Sequence, residues 1–426
     1  MIWKCRDKEF DLNTPVIAGV LNITPDSFSD GSKYLCLDAA LKHAHSLRDA
    51  GAHIIEIGAE STRPGSVEIS SAIELSRIVP VLDALLNDGF CVSIDTRHPQ
   101  TASVCLEMGA YIINDISGFV LPEMRECVAG TDCGCVVMHM QGSPRNMQNH
   151  PVYKDVVEEV SCFLSNQAQL LEAEGVKSES ICIDPGIGFG KTFEDNIKLF
   201  SVYNHLSSLC YPLMCAVSRK SFIGKRCNIA KPEKRDNASA LAALAAVFYG
   251  ASIVRTHNPS LTLDVLQCGK RAFVALGSNI GNKLNTLLGA LKDIATTDEI
   301  WLQTYSHIYE SEPAYKLNQE PFYNAVAEIF TTLSPQKLLI QLHKIEHKYG
   351  RLRLEENGPR TLDLDIVDYE GCVIYNDKLI LPHPRILERD FVVTPLFDID
   401  PNLVLSNGKK ITKENVLYGH ITSTVL

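Results

Sequence analysis

No stretch of 18 or more apolar residues occurs in the chain, so no segment reads as a membrane-spanning helix. Positive charge is also short: 40 Lys and Arg face 51 Asp and Glu, a net charge of −11. That balance argues against a general nucleic-acid binder, which needs basic surface to neutralise phosphates. The 14 cysteines form no C-x-x-C pair and no disulfide-like framework, which fits a reducing, cytoplasmic setting. Cys133 and Cys135 make a C-x-C beside an expected strand, where burial as small apolar groups is favoured over metal binding. The opening segment MIWKCRDKEFDLNTP lacks the apolar core of a signal peptide and is expected to lead directly into the first strand. Internal repeats and low-complexity tracts are absent. Nucleotide fingerprints are absent too: in DPGIGFGKT, Pro185 stands where a phosphate loop needs its first glycine, and Lys191 stands where G-x-G-x-x-G needs its last.

What is present is ordinary globular composition, 45% hydrophobic and 21% charged, in 426 residues. That length exceeds one ordinary core and predicts two domains. Over the first 260 or so residues, eight short apolar runs recur: PVIAGVLN, HIIEIGAE, CVSIDTR, YIINDIS, CVVMHM, ICIDPG, LMCAVSRK and ASIVRTHN. Each suits a strand buried on both faces, and a helix-length stretch follows each. Eight such alternations in roughly 250 residues predict an α/β fold, a (β/α)8 TIM barrel. Nearly every run ends on a polar residue: Asn22, Glu60, Asp95, Asn114 with Asp115, His139, Asp184, Lys220, and Arg255 with His257. In a barrel these ends share one mouth, the face on which such folds carry chemistry.

The residues of that mouth sort by charge. Asp95, Asp115 and Asp184 would repel one another unless a cation or a donor-rich ligand lay between them. A planar heterocycle with several N–H groups meets that need, whereas helix capping accounts for any single carboxylate but poorly for the set. Arg219, Lys220, Arg255 and His257 belong to strands seven and eight, the usual phosphate quarter of this fold. A heterocycle carrying a phosphate group is therefore expected. The loop Asn22 to Tyr34 is expected to be mobile and to close over a ligand, and Arg63 in the second loop could clamp an anion.

The boundary is expected near Gly269, giving domains 1–268 and 269–426. The second part reads strand (272–277), helix (282–295), strand (301–311), strand (322–332), helix (334–349), strand (361–369), followed by loops and a short helix. That βαββαβ order predicts a ferredoxin-like α+β domain with helices on one face of its sheet. In GPRTLDLDIV, Asp363 and Asp365 share one face of a strand while Leu362, Leu364 and Ile366 face the core. A bare D-x-D is more simply the wet face of an amphipathic strand. Here Arg351, Arg353, Arg360, the PHPR segment and Arg389 crowd around it, a pattern that suits phosphoryl or pyrophosphoryl transfer with Mg²⁺.

Residues 15–258 resemble the dihydropteroate synthases, through GVLNITPDSFSDGS, GAESTRPG, SIDT, INDISG, VMHMQGSPRNMQ, DPGIGFGKT, SRKSFIG and VRTHN. The resemblance implies that Asp95, Asn114, Asp184 and Lys220 hold a pterin pyrophosphate by its ring. It further implies Asn22 as a Mg²⁺ ligand, Thr62, Arg255 and His257 on phosphates or ring, and Arg63, Pro64 and Ser221 around p-aminobenzoate. Residues 271–401 resemble the 6-hydroxymethyl-7,8-dihydropterin pyrophosphokinases, through LGSNIGN, YESEP, FYNAV, GRLR, GPRTLDLDIV, LPHPR and RDFVVTPL. Here the resemblance implies Asp363 and Asp365 as Mg²⁺ ligands, with Arg351, Arg353, Arg360, His383 and Arg389 on ATP. Glu346 is expected to contact the nucleotide, Asn324 to bond the pterin edge, and Phe322 and Phe391 to stack on it. Lys220, Arg255 and His257 in one half, and Arg351 and Arg360 in the other, are the residues expected to act catalytically. Glu356 and Asn357 depart from the family, which there carries a basic residue and often an aromatic, and the loop is about one residue short.

Together the resemblances imply a bifunctional folate enzyme, a transferase that takes ATP, a hydroxymethyl pterin and p-aminobenzoate. A homodimer through the barrel is implied as well. Two rivals compete with that reading: a pterin-binding methyltransferase barrel, disfavoured by SRKS and the first loop, and a synthase with an inert nucleotide-binding second domain.

Overall fold

The computed structural model describes residues 1–24, 33–62, 65–316, 318–351, 358–414 and 416–426. Its compact units are 1–225 with 229–264, and 226–228 with 265–426. The chain opens on an antiparallel hairpin, β1 (Ile2–Cys5) and β2 (Lys8–Asp11), which corrects the expectation of a direct entry into the barrel. The hairpin is held by burial: Trp3 and Cys5 pack with Ile54, Ile112, Val136, Cys182 and Ile253, and Trp3 Nε1 donates to Ser180 O at 3.0 Å.

The barrel strands are β3 (Val16–Asn22), β4 (Ile54–Gly58), β5 (Val92–Asp95), β6 (Ile112–Asp115), β7 (Gly134–Met138), β8 (Ile181–Asp184), β9 (Met214–Cys215) and β10 (Ile253–Thr256). All pairings are parallel, in the order β8-β7-β6-β5-β4-β3-β10-β9, and a parallel bridge between Ile183 and Leu213 joins the two ends of the row. Helices alternate with the strands: α1 (Lys33–Asp49), α2 (Ser71–Asn87), α3 (Pro99–Met108), α4 (Pro122–Val128), α5 (Val156–Ala173), α6 (Phe193–Ser201), α7 (Tyr203–Ser207), α8 (Ser221–Cys227), α9 (Asp236–Phe248) and α10 (Pro259–Cys268). Local chemistry starts several of them. Asp155 accepts from Val157 N and Glu158 N ahead of α5, and Thr192 with Asp195 forms a capping box on α6. The expected seventh strand, LMCAVSRK, shrinks to two residues; Ser218, Arg219 and Lys220 form the turn beyond it. A left-handed φ of 61° at Arg219 shapes that turn.

The second unit continues with β11 (Lys270–Ser278), α11 (Lys283–Ala295), β12 (Ile300–Tyr305), β13 (Tyr309–Ser311), β14 (Phe322–Thr331), α12 (Pro335–Lys348), β15 (Asp363–Tyr369), β16 (Ile374–Asn376), β17 (Leu379–Leu381), α13 (Asp390–Ile399) and β18 (Ile421–Thr424). Its antiparallel sheet runs β15-β11-β14-β13-β18, with β12 also on β14. The expected strand 301–311 is thus two strands. One face packs α11 and α12 on Val274, Leu276, Ala325, Ala327, Leu364 and Ile366. The other carries Val392 and Leu396 of α13 on Phe273, Val326 and Val367, so helices cover both faces and not one.

Candidate active sites

Register explains why the barrel's polar ends meet. Asn22 pairs with Gly58, Gly58 with Asp95, and Asp95 with Asn114, so four successive strands end level. Asp184 lies level with Met138 on the far side of the row. Gly58 leaves room there: a Cβ would sit 3.2 Å from Asn22 Oδ1 and 3.8 Å from Asp95 Oδ2.

The centre of this mouth is an ion network built on a residue that the sequence reading passed over. Glu56, in the middle of β4 and 1% exposed, accepts from Arg255 Nε and from Asn114 Nδ2 at 3.0 Å. Arg255 donates its second nitrogen to Asp95 Oδ2 at 3.0 Å. A carboxylate inside the otherwise apolar run HIIEIG was the available signal, since a buried charge needs a partner. Removal from water pushes Asp95 up to about 7, against the pull of Arg255. Among the described residues, Asn114 Oδ1 is buried with no hydrogen-bond partner, an acceptor open to a ligand donor. Asp184 takes Gly186 N at 2.8 Å, and burial raises its carboxyl despite Lys220. Lys220 donates to Ile187 O and lies 4.7 Å from the Phe189 ring centroid; burial draws its amine down to about 8. His257 is oriented by Ser218, whose Oγ lies 3.0 Å from Nδ1.

Other expected members stand apart. Asp115 caps its own turn through Ser117 N and Phe119 N, both at 2.8 Å, so for it the local explanation holds. Glu60 turns to Arg97 and His98. Arg219 is paired with Asp236, at 2.6 and 2.9 Å. His139 is buried against Lys191. Thr62 is half-buried and Ser221 exposed at the start of α8. Arg63 and Pro64, and most of the first loop, lie outside the described residues.

In the second unit, Asp363 and Asp365 project from β15 opposite Gly277 and Ala275. Leu362, Leu364 and Ile366 are buried behind them, as the alternation predicts. One cleft gathers Phe322, Asn324, Arg360, Asp363, Asp365, His383, Arg389 and Phe391, with Tyr315 at its wall. Arg360 reaches Asp363 at 3.0 Å and lies 5.3 Å from the Phe322 ring centroid. Its backbone is clamped by Asn279, whose Oδ1 accepts from Arg360 N at 2.8 Å. Asn324 is fixed from below by Ser311 Oγ at 2.8 Å. Burial, then the Asp363 charge, pushes Asp365 up to about 6, and burial takes His383 down to about 4. Glu346 is buried, accepts from Leu364 N at 2.8 Å and from Arg351, and so braces Arg351 against Asp363. Arg353, Glu356 and Asn357 lie outside the described residues.

Residues 18–257 match the family described as pterin binding enzyme. The dihydropteroate synthase of Escherichia coli (strain K12) is 39% identical over 258 residues, 60% of this chain and 91% of that protein. The chain belongs to this pterin-binding family of dihydropteroate synthases. The synthase of Neisseria meningitidis serogroup C is 41% identical over 286 residues, 66% of this chain and 99% of that protein. A Xanthomonas albilineans dihydropteroate synthase solved with 4-aminobenzoic acid superposes with a TM-score of 0.59 at 35% identity, covering 62% of this chain and 96% of that one. Residues 273–401 match 7,8-dihydro-6-hydroxymethylpterin-pyrophosphokinase. The chain is accordingly a bifunctional transferase of folate synthesis, with a synthase half and a pyrophosphokinase half. Among the described residues no helix is long and apolar enough to cross a membrane.

Proposed function

We propose that residues 269–426 transfer pyrophosphate from ATP to 6-hydroxymethyl-7,8-dihydropterin, and that residues 1–268 condense the product with p-aminobenzoate. The observation that carries the first step is a cleft holding two carboxylates, Arg360, Arg389 and His383 beside Phe322, Asn324 and Phe391. Paired carboxylates and arginines suit a polyphosphate; an amide flanked by aromatic rings suits a pterin.

In this reading Phe322 and Phe391 sandwich the pterin ring and Asn324 bonds its edge. Arg360, Arg389 and neutral His383 orient the ATP phosphates, while Arg351, braced by Glu346, offsets charge near the transferred group. The hydroxymethyl oxygen attacks the β-phosphorus, the bond to the α-phosphate oxygen breaks, AMP departs and the hydroxyl proton is lost. Asp363 and Asp365 fit Mg²⁺: two neighbouring oxygen donors, one of them raised by burial and by its neighbour's charge, need a cation that the arginines supply only in part. Bound there, the ion would neutralise phosphate charge.

In the barrel, Asp95, Asn114 and Asp184 accept pterin N–H groups, Asn114 through its open Oδ1. Lys220 donates to the ring, and Arg255 and His257 with Thr62 take the pyrophosphate. Asn22 supplies a hard oxygen suited to a second Mg²⁺ on that group, and Ser221 with Arg63 frames the aryl amine. The carbon–oxygen bond to pyrophosphate breaks, the acidic wall stabilises the methylene-pterin cation, and the arylamine nitrogen attacks it and then loses a proton. An aromatic amine is a sufficient nucleophile for such a cation, so no strong base is required. The reading includes a homodimer through the barrel, checked by sedimentation.

The test supplies ATP, hydroxymethyl dihydropterin and p-aminobenzoate. AMP and dihydropteroate should form together, and omitting ATP should stop both. AMP absent while added pterin pyrophosphate still gives dihydropteroate would reduce the second half to a binding module.

A further inference from the structure

The one cation of DPGIGFGKT, the segment that imitates a phosphate loop, does not reach the mouth at all. Lys191 is 2% exposed. Its Nζ meets four acceptors: His139 Nδ1 at 2.9 Å, His139 O at 3.2 Å, Gly186 O at 3.0 Å and Phe189 O at 3.0 Å. None of the four carries a charge when the imidazole is neutral, so among the described residues the buried amine is held with no carboxylate hydrogen-bonded to it, and burial draws it well below the usual lysine range. Such burial is costly and persists only where the surrounding structure requires it.

The acceptors show what is held. They span the end of β7 and the loop after β8, pulling 186–190 onto His139. The loop can lie so close only because of its glycines: at Gly186 (φ +63°) a Cβ would fall 1.9 Å from His139 O, and at Gly190 (φ +59°) 2.4 Å from Gln141 O. The same short loop supplies Gly186 N to Asp184 at 2.8 Å and Ile187 O to Lys220. Both side chains are thus aimed by backbone that Lys191 fastens.

We propose that Lys191 is a positioning residue of the pterin site, clamping the loop whose amide and carbonyl orient Asp184 and Lys220. The proposal rests on the reading of those two residues as pterin ligands. Charge adds to the geometry: Asp184 is faced by Lys220, Arg255 and Lys191, all of which favour its ionised, accepting form.

The experiment is steady-state kinetics of full-length Lys191→Met, fed pterin pyrophosphate and p-aminobenzoate, beside Asp184→Asn. Lys191→Met should raise KM for pterin pyrophosphate by about tenfold or more, with KM for p-aminobenzoate and AMP formation by the other half within about twofold. An unchanged pterin KM, or both KM values rising together with loss of AMP formation, overturns the proposal. Asp184→Asn separates the two levels: if it too leaves pterin KM unchanged, the ligand reading itself fails. Should Lys191→Met not fold, ring nitrogen NMR of His139 in the unaltered protein decides. An Nδ1 hydrogen-bonded to the Lys191 amine, whichever of the two carries the proton, agrees with the clamp, and an Nδ1 with no such bond overturns it.

Discussion

Replacing Glu56 by Ala tests the network at the barrel mouth most directly. Glu56 is 1% exposed and the Arg255 side chain 19%, so their pairing is largely shielded from water. Deleting one partner of a buried pair costs about 3–5 kcal/mol. Asp95 still stands 3.0 Å from the second Arg255 nitrogen, which keeps the loss near the lower end, about 3 kcal/mol. At about 2–4 °C per kcal/mol for a unit of this size, the synthase half should melt about 6–12 °C lower. Asn114 loses its 3.0 Å anchor in the same stroke, and a displacement of about 1 Å costs roughly a hundredfold in rate. Scanning calorimetry follows the two halves as separate transitions, dihydropteroate formation from supplied pterin pyrophosphate measures the rate, and AMP formation is the internal control. Glu56→Gln keeps an acceptor and loses the charge, so it should fall between the two. A folded Glu56→Ala melting within about 2 °C of the parent, with turnover within about threefold, would refute the argument.

Three further outcomes follow from the same geometry. Lys220 is drawn down to about 8 from its usual range, so it loses its proton as pH rises through 8; kcat/KM for pterin pyrophosphate should fall above that pH. The sign for stability is opposite: between about 8 and 10.4 the unfolded chain binds the extra proton, so Lys220 disfavours the fold below pH 8 and that penalty fades as pH rises. Lys220→Arg should remove the alkaline fall, and a limb that survives in a folded variant assigns it to another group. Asp363→Asn and Asp365→Asn should each lower AMP formation at least about a hundredfold and leave synthesis from added pterin pyrophosphate unchanged; loss of both activities would contradict separate sites. Chelation with EDTA should halt AMP formation and excess Mg²⁺ restore it, an unaffected rate counting against Asp363 and Asp365 as ligands.

Periodicity made much of the fold legible. Apolar runs of strand length with helical stretches between them admit few arrangements, and parallel strands must end at one face. The site was legible where polar residues sit at the ends of those runs, as Asp95, Asn114 and Asp184 do. It was illegible where a polar residue sits inside one: Glu56 reads as an interruption until Arg255, 199 positions away, is seen to meet it. Asp115 misleads for the converse reason. It lies at a strand end, yet a local turn satisfies it first.

Composition, spacing and motif therefore determined the fold class, the two halves and the chemistry each carries, because these depend on which side chains occur and at what period. Only the folded chain decided that Glu56 organises the mouth, that Glu346 braces an arginine, that α13 covers the second face of the sheet, and that Lys191 is buried. Those facts depend on which distant groups meet in low dielectric, where a charge is tolerated only beside a suitable partner, and local sequence does not name that partner.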